Sequence, residues 1–300
     1  MLIRPTMRDD DLDAVHEGDD QWMGSPMYWQ LTDAYGADNP VGAWCVDEGG
    51  RTVGHAFANY RTSRVANMFL GYVWTVPGER RRGIGTALFD AIKAQGRELG
   101  FDHCISWVPD SNPDSVAVAQ AWGGVEDGYH FESQLDLATL SDEAVASLTS
   151  RAATAGVALR WLETDDELRA LVPFVDTLYR DAPDSGQEAE PLTFEILRAM
   201  TEPAHVLVAE HDGEPVGITY TFDRPDIEGA VNTGFTGVER AWRGHGLASA
   251  LKAHAAATMR DRGRRVMVTQ NMRGNDHILA ANDRLGFVRG PGWYDYVFEL

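Results

Sequence analysis

The chain repeats itself at one fixed offset. Arg243, Gly246 and Leu251 stand 163 residues after Arg80, Gly83 and Leu88. The same offset relates Gly213 to Gly50, Val216 to Val53 and Gly217 to Gly54, and Gly263, Asn275, Ala280 and Gly286 to Gly100, Asn112, Ala117 and Gly123. The register holds without a gap through glycines that each punctuate a turn. Repeats constrain a fold before any single element does, because each copy must be a unit that can stand beside its twin. Two copies of one domain follow, over residues 1–140 and 157–300. The Ala-, Ser- and Thr-rich stretch 141–156 is read as a linker between them.

A length of 300 residues suits two domains, and a hydrophobic content of 44% gives each its own core. No apolar run reaches the ~18 residues of a membrane span, and the opening Met-Leu-Ile-Arg-Pro-Thr is not a signal peptide. A cytoplasmic protein with no membrane partner is expected. The two cysteines, Cys45 and Cys104, sit in strand-like apolar runs and read as buried structural thiols. The formal net charge of −20 repels phosphate backbones, so nucleic acid is not an expected partner. Lys93 and Lys252 are the two lysines of the chain; every other basic side chain, histidines aside, is arginine.

The patterning alternates strands and helices in the same order twice. In the first copy, residues 2–5, 43–46, 53–60 and 68–76 read as strands. The second and third are joined by Asp47-Glu48-Gly49-Gly50, a hairpin signal. A helix follows with Ile84, Leu88, Ala91, Ile92, Gln95 and Leu99 on one stripe and Gly100 as its stop. Then come a strand (104–108), a helix opened by Asn112-Pro113 and a last strand within 129–137. The second copy reads likewise, with strands at 159–162, 206–210, 216–223, 230–238, 266–270 and 294–300. Its helices fall at 163–180, 193–200, 276–285 and after Gly246. The fold class is α+β, with a mixed, mostly antiparallel sheet flanked by helices in each copy.

One stretch in each copy carries chemistry: a strand, a glycine turn and a helix start. First-turn N–H groups have no intrahelical acceptor and the helix dipole favours an anion there, so this arrangement holds phosphate. The turns are Arg80-Arg81-Arg82-Gly83-Ile84-Gly85-Thr86 and Arg243-Gly244-His245-Gly246-Leu247-Ala248-Ser249. A P-loop needs Gly-Lys-Ser/Thr, and the two lysines are elsewhere. A dinucleotide fingerprint needs a third glycine, where Leu88 and Ser249 stand.

The remaining pattern, Arg-x-x-Gly-x-Gly/Ala, resembles the acetyl-CoA signature of the GNAT acyltransferase superfamily. The resemblance runs through hairpin, motif strand, motif helix, next strand and the helix Asn275 to Leu285 ending in Gly286-Phe287, and covers nearly the whole chain in two tandem copies. It implies an N-acetyltransferase using acetyl-CoA and no metal. The two central strands would splay, with Thr236, Gly237 and Val238, and Thr75 and Val76 in the first copy, pairing with the pantetheine arm. The pyrophosphate would rest on the turns just quoted, and Asn275 and Asn282, with Asn112 in the first copy, would contact the cofactor.

The sequence departs from that pattern where the family places a tyrosine as general acid. Asn282 occupies the position, and Ala119 its counterpart. Neither motif strand contains an acid to serve as base. Tyr294 and His277 are the substitutes considered, with Tyr296 behind them. The first copy has the fuller turn, with three arginines, but Ala-Trp-Gly-Gly (121–124) stands where the second has Arg-Leu-Gly-Phe (284–287). Both copies are expected to bind CoA and the second to be the better catalyst. The acceptor is a small-molecule amine. Asp181, Asp184, Glu188 and Glu190 would draw a cationic one by Coulomb attraction. The competing expectation is a CoA-binding sensor or scaffold that does not turn over.

Overall fold

The computed structural model describes residues 2–7, 10, 12–13, 15–16, 41–59, 67–182, 191–224 and 227–300. The aromatic and acidic stretch 19–38 and the side chains of Asp184, Glu188 and Glu190 lie outside the described residues. The chain forms two compact units. Unit 1 is Met1–Asp127 with Tyr294–Leu300, and unit 2 is Gly128–Trp293.

Unit 1 is built on strands β1 (Leu2–Pro5), β2 (Val41–Glu48), β3 (Arg51–Asn59), β4 (Met68–Thr75) and β5 (His103–Pro109). They lie in that order, antiparallel except for the parallel pair β4–β5. Helix α1 (Ile84–Glu98) connects β4 to β5, and α2 (Pro113–Ala121) follows β5. Ile84, Leu88, Phe89 and Ile92 bury the predicted face of α1. Gly54 lets the helix close on the sheet: a Cβ there would stand 2.6 Å from Ile84 Cγ2.

Strand β6 (Val125–Asp136) carries the chain into unit 2. There follow α3 (Asp142–Thr154), β7 (Ala158–Trp161), α4 (Asp165–Arg180), α5 (Phe194–Met200), β8 (Val206–His211), β9 (Glu214–Arg224), β10 (Ala230–Val238), α6 (Leu247–Asp261), β11 (Val266–Met272), α7 (Asp276–Leu285) and β12 (Val288–Glu299). The strand order of unit 2 is β7-β8-β9-β10-β11-β6, with β10–β11 parallel and the other neighbours antiparallel. From Tyr294 onward β12 belongs to unit 1, beside β5. There Tyr296 and Phe298 are buried in the core with Phe89 and Ile92.

The fixed offset has a backbone cause. Gly50, Gly83, Gly100 and Gly123 have φ of 80°, 83°, 85° and 86°, and their counterparts Gly213, Gly246, Gly263 and Gly286 have 85°, 79°, 81° and 86°. Four turns in each copy require the left-handed region that a side chain resists. The two hairpins match: Gly49-Gly50 and Asp212-Gly213 both have positive φ at each central residue, as the tight two-residue turn demands.

The stretch 141–156 holds helix α3. Ser141 caps it by accepting from the Ala144 N–H at 3.1 Å, and Asp142 and Glu143 fill its first turn. Leu148 and Ala152 pack into the core around α6. Helix α6 is therefore covered on two sides, by the sheet and by α3. Four of its alanines (250, 253, 255, 256) are buried along with Leu247, Leu251 and Met259, a wider face than a single helical stripe. Cys45 and Cys104 are free and buried, and burial pushes the Cys45 thiol up to about 11. Among the described residues no helix is long and apolar enough to cross a membrane.

Candidate functional site

The parallel ladder at the centre of each unit is short. In unit 2 it runs from Ala230–Val266 to Thr233–Thr269, while β10 continues to Val238 paired with β9. In unit 1 it runs from Met68–His103 to Leu70–Ile105, while β4 continues to Thr75 paired with β3. Beyond Thr233 and Leu70, the motif strands present one edge of N–H and C=O groups away from their antiparallel partners. Thr236, Gly237 and Val238 lie on that stretch, and Thr75 ends the equivalent one.

The turns after the two strands share one geometry. Val76 and Glu239, the residues after each strand, donate their N–H to Val53 O (3.0 Å) and Val216 O (2.9 Å). Arg80 Nε donates to Thr75 O at 3.3 Å, and Arg243 Nε to Val238 O at 3.0 Å. Arg81 has φ 62° where Gly244 has 85°. Helices α1 and α6 then start at left-handed Gly83 and Gly246 without a side-chain cap. By contrast α2, α3, α4 and α5 are each capped by a side chain, from Asn112, Ser141, Thr164 and Thr193. The first-turn N–H groups after Gly83 and Gly246 thus have no side-chain cap, an arrangement that fits an anionic, phosphate-bearing ligand.

Unit 2 adds a side chain that the sequence did not single out. Arg151, on α3, lies across the turn: a Cβ on Gly246 would stand 2.8 Å from Arg151 Cδ. Arg151, Thr154, Ala155 and His245 line a cleft there. The helix-start pattern Ser141-Asp142-Glu143 marks α3 in the sequence, but its contact with a turn about a hundred residues away is tertiary.

The arginines are more committed than their number suggested. Asp181 bonds both Arg240 and Arg243, and those bonds, Arg240 first, hold its carboxyl below the usual range against the opposing effect of burial. Asp181 therefore faces the turn at Arg243 as a partner of its arginines, and its charge is committed there. In unit 1 Arg82 is paired with Glu79 and with Glu48 (2.8 Å), so the triple-arginine turn carries less free charge than its sequence implies.

The remaining predicted positions separate. Asn112 is used as a cap, accepting from Ser115 N at 3.1 Å, whereas Asn275 starts α7 without capping it. Asn282 is buried and donates to Asn271 Oδ1 at 2.5 Å. His277 is exposed in the first turn of α7. Tyr294 belongs to unit 1, packed at the margin of its core near Tyr296, so the structure does not group it with His277 in unit 2.

Comparison with known proteins agrees with this geometry. A family model described as "Acetyltransferase (GNAT) family" matches residues 7–123 and 150–287. The chain is 28% identical over 224 residues to a mycothiol acetyltransferase of Thermomonospora curvata, covering 73% of this chain and 70% of that protein. It is 27% identical over 294 residues to the mycothiol acetyltransferase of Cellulomonas flavigena, covering 91% and 79%. Among solved structures, a tandem GNAT protein from the clavulanic acid biosynthesis pathway superimposes with a TM-score of 0.70 at 22% identity, over 99% of this chain and 98% of that one. With two matches to one family model and the same glycine turn in each copy, the chain belongs to the GNAT acetyltransferase family and is a tandem-domain acyltransferase.

Proposed function

We propose that both copies, over 1–140 and 157–300, bind acetyl-CoA, and that the second transfers the acetyl group to the amine of a small molecule in the cytoplasm. The observation that carries the asymmetry is a bulge. On β10, Thr233 pairs with Thr221 and Phe235 with Tyr220, so Gly234 is the extra residue in the ladder. The Tyr220 ring sits where a side chain at 234 would go, with Cε2 only 2.1 Å from an added Cβ. In unit 1, β3 and β4 pair from Gly54–Thr75 to Asn59–Leu70 without a break. A bulge bends its strand and re-aims backbone groups, and bulges concentrate beside active sites. This one stands where the parallel ladder of unit 2 ends.

In this reading Gly244–Ser249, Arg151 and Arg243 hold the phosphates, and Thr236–Val238 pair with the pantetheine arm, with Asn275 near it. Acetyl-CoA supplies an activated acyl thioester. A neutral amine attacks its carbonyl, an N–H donor steadies the developing oxyanion, and a proton must reach the departing sulfur. The relatives' activity makes a mycothiol-related amine the first acceptor to assay. Unit 1, with an unbulged strand, fits a donor-binding copy that does not turn over.

Two measurements test this. Calorimetry with acetyl-CoA is expected to give two sites per chain, with Gly246→Asp removing one by steric block and like-charge repulsion. Thiol release from acetyl-CoA over an amine panel is expected to be lost with Gly246→Asp and kept with Gly83→Asp. Equal loss in both variants would overturn the assignment of turnover to the second copy.

A further inference from the structure

Lys93 and Lys252, the two lysines of the chain, are placed very differently. Lys93 is half-buried on α1, paired with Asp90 at 3.3 Å and lying over the Phe89 ring. Lys252 is 2% exposed in α6. Its Nζ donates to Thr269 Oγ1 at 3.3 Å and lies 5.4 Å from the Phe287 ring centre. Burial alone pushes its ammonium down to about 7; no charged neighbour contributes. Arginine, used at nearly every other basic position, cannot give up a proton, whereas a buried lysine can.

The surroundings are polar and incompletely paired. Thr269 and Thr233 form the last rung of the parallel ladder. Asn271, two residues along β11, donates to Ser133 Oγ at 3.0 Å and accepts from Asn282. Thr221 Oγ1, Thr233 Oγ1 and Asn282 Oδ1 are buried without a hydrogen-bond partner among the described residues. Buried polar atoms are rarely left so without a ligand or water to meet them.

The first copy supplies an internal control. At the same offset Phe89 stands for Lys252, Val108 for Asn271, Ala119 for Asn282 and Ala58 for Thr221. All four are buried, and Phe89 stacks on Trp122 at 4.7 Å between ring centres. The fold therefore packs this position with apolar groups and needs no lysine for it. A buried, unpaired ammonium disfavours the folded state, so its presence asks for a chemical reason.

Building on the acetyl-transfer reading, we propose that Lys252 is the proton donor to the departing thiolate in the second copy, with Thr269 fixing its ε-amine at the point where β10 and β11 part. The amine nitrogen of the acceptor forms the C–N bond as the C–S bond breaks, and the electron pair of that bond goes to sulfur. Lys252 gives its proton to the sulfur; the new amide nitrogen loses its extra proton to solvent, and solvent reprotonates Lys252. The transfer runs downhill, since an ordinary thiol has a pKa of about 8.5, above that of this ammonium. The neutral amine left behind is the form that burial prefers.

The primary test uses protein labelled with ¹⁵N at lysine, in which the Lys252 signal is identified by its loss in Lys252→Met. That signal is expected to titrate near neutrality. Saturating CoA is expected to shift the Lys252 titration. Desulfo-CoA, lacking the thiol, is expected to shift it far less. Calorimetry that shows CoA bound while the Lys252 titration stays put would overturn the proposal and leave the donor reading intact. No CoA binding at all would overturn that reading, and the proton donor with it. In turnover, Lys252→Met and Lys252→Arg are each expected to lower kcat on the order of 100-fold with acetyl-CoA affinity little changed, against an unaffected Lys93→Met. A folded Lys252→Met protein with the parent's kcat would also overturn it.

Discussion

Arg151 Cδ lies where it would stand 2.8 Å from a Cβ on Gly246, so a helix from outside the repeated pattern closes over the phosphate turn of the second copy. Arg151 has no ion pair among the described residues, whereas Arg243 beside it is bonded to Asp181. In the proposed reading, Arg151 can therefore meet an incoming phosphate without first giving up an ion pair, whereas Arg243 shares its charge with Asp181. Hydrogen bonds to charged groups contribute about 1.5–3 kcal/mol. Arg151→Ala is therefore expected to weaken acetyl-CoA binding in the second copy by about tenfold or more, with kcat at saturation little changed and a shallower salt dependence. Calorimetry at two salt concentrations checks both points.

Asp181 holds Arg240 and Arg243, which changes what its neutralisation should do. Asp181→Asn removes one negative charge beside the anion site and leaves the acceptor side alone. Exposed pairs of this kind contribute only about 0–1 kcal/mol, so folding should barely respond. The expected outcome is acetyl-CoA binding a few-fold tighter at low salt, an effect that fades as the Debye length shrinks toward ~3 Å at 1 M. KM for a cationic acceptor should not move. A raised acceptor KM with unchanged donor affinity would return Asp181 to the acceptor side.

Lys252 makes stability depend on pH. Its folded pKa is about 7 against an ordinary value of 10.5. Between those values the unfolded chain binds a proton that the folded chain does not, so stability rises with pH across that window. The slope attributable to one such group is at most about 1.4 kcal/mol per pH unit. From pH 7 to 9 the parent should gain on the order of 2 kcal/mol that Lys252→Met lacks. Urea denaturation of both proteins at the two pH values measures the difference.

Acid should act on unit 1 through two histidines. His16 Nε2 and His55 Nδ1 are 3.1 Å apart in the buried layer beside Trp74. Burial chiefly, and for His16 the neighbouring His55 as well, lowers both below the ordinary value of 6.5. The folded protein keeps them neutral while the unfolded chain takes up protons, so their contribution is present above pH 6.5 and lost as pH falls below it. His55→Asn should flatten the decline in Tm between pH 6.5 and 5. A variant with the parent's decline would place the acid lability elsewhere.

The sequence made the backbone legible and the side-chain chemistry much less so. Gly83, Gly246 and the two hairpin turns could be read because a left-handed φ is a local demand that glycine answers. The fold class followed from their order. Arg151 escaped because its stretch looked like linker composition, and its contact with Gly246 spans most of unit 2. Asp181 looks like a free charge in the sequence because nothing local shows that Arg240 and Arg243 will reach it. Lys252 lies beside the apolar stripe of its helix, and its burial follows from the second cover that α3 and the sheet together give α6, which no local pattern shows. Tyr294 is close in sequence to the second copy, yet β12 takes it into unit 1.

That passage of β12 bears on how the protein is made. Tyr296 and Phe298 fill the core of unit 1, yet they are translated after all of unit 2. On the ribosome the first copy emerges without its closing strand, and α1 and β5 must wait with apolar surface uncovered while some 166 further residues, Gly128 to Trp293, are synthesised. Unit 2 can begin to condense first, so the order of maturation reverses the order of synthesis. Cutting the gene between residues 140 and 157 would yield an amino-terminal fragment with an unfilled strand position, prone to capture a strand from another chain.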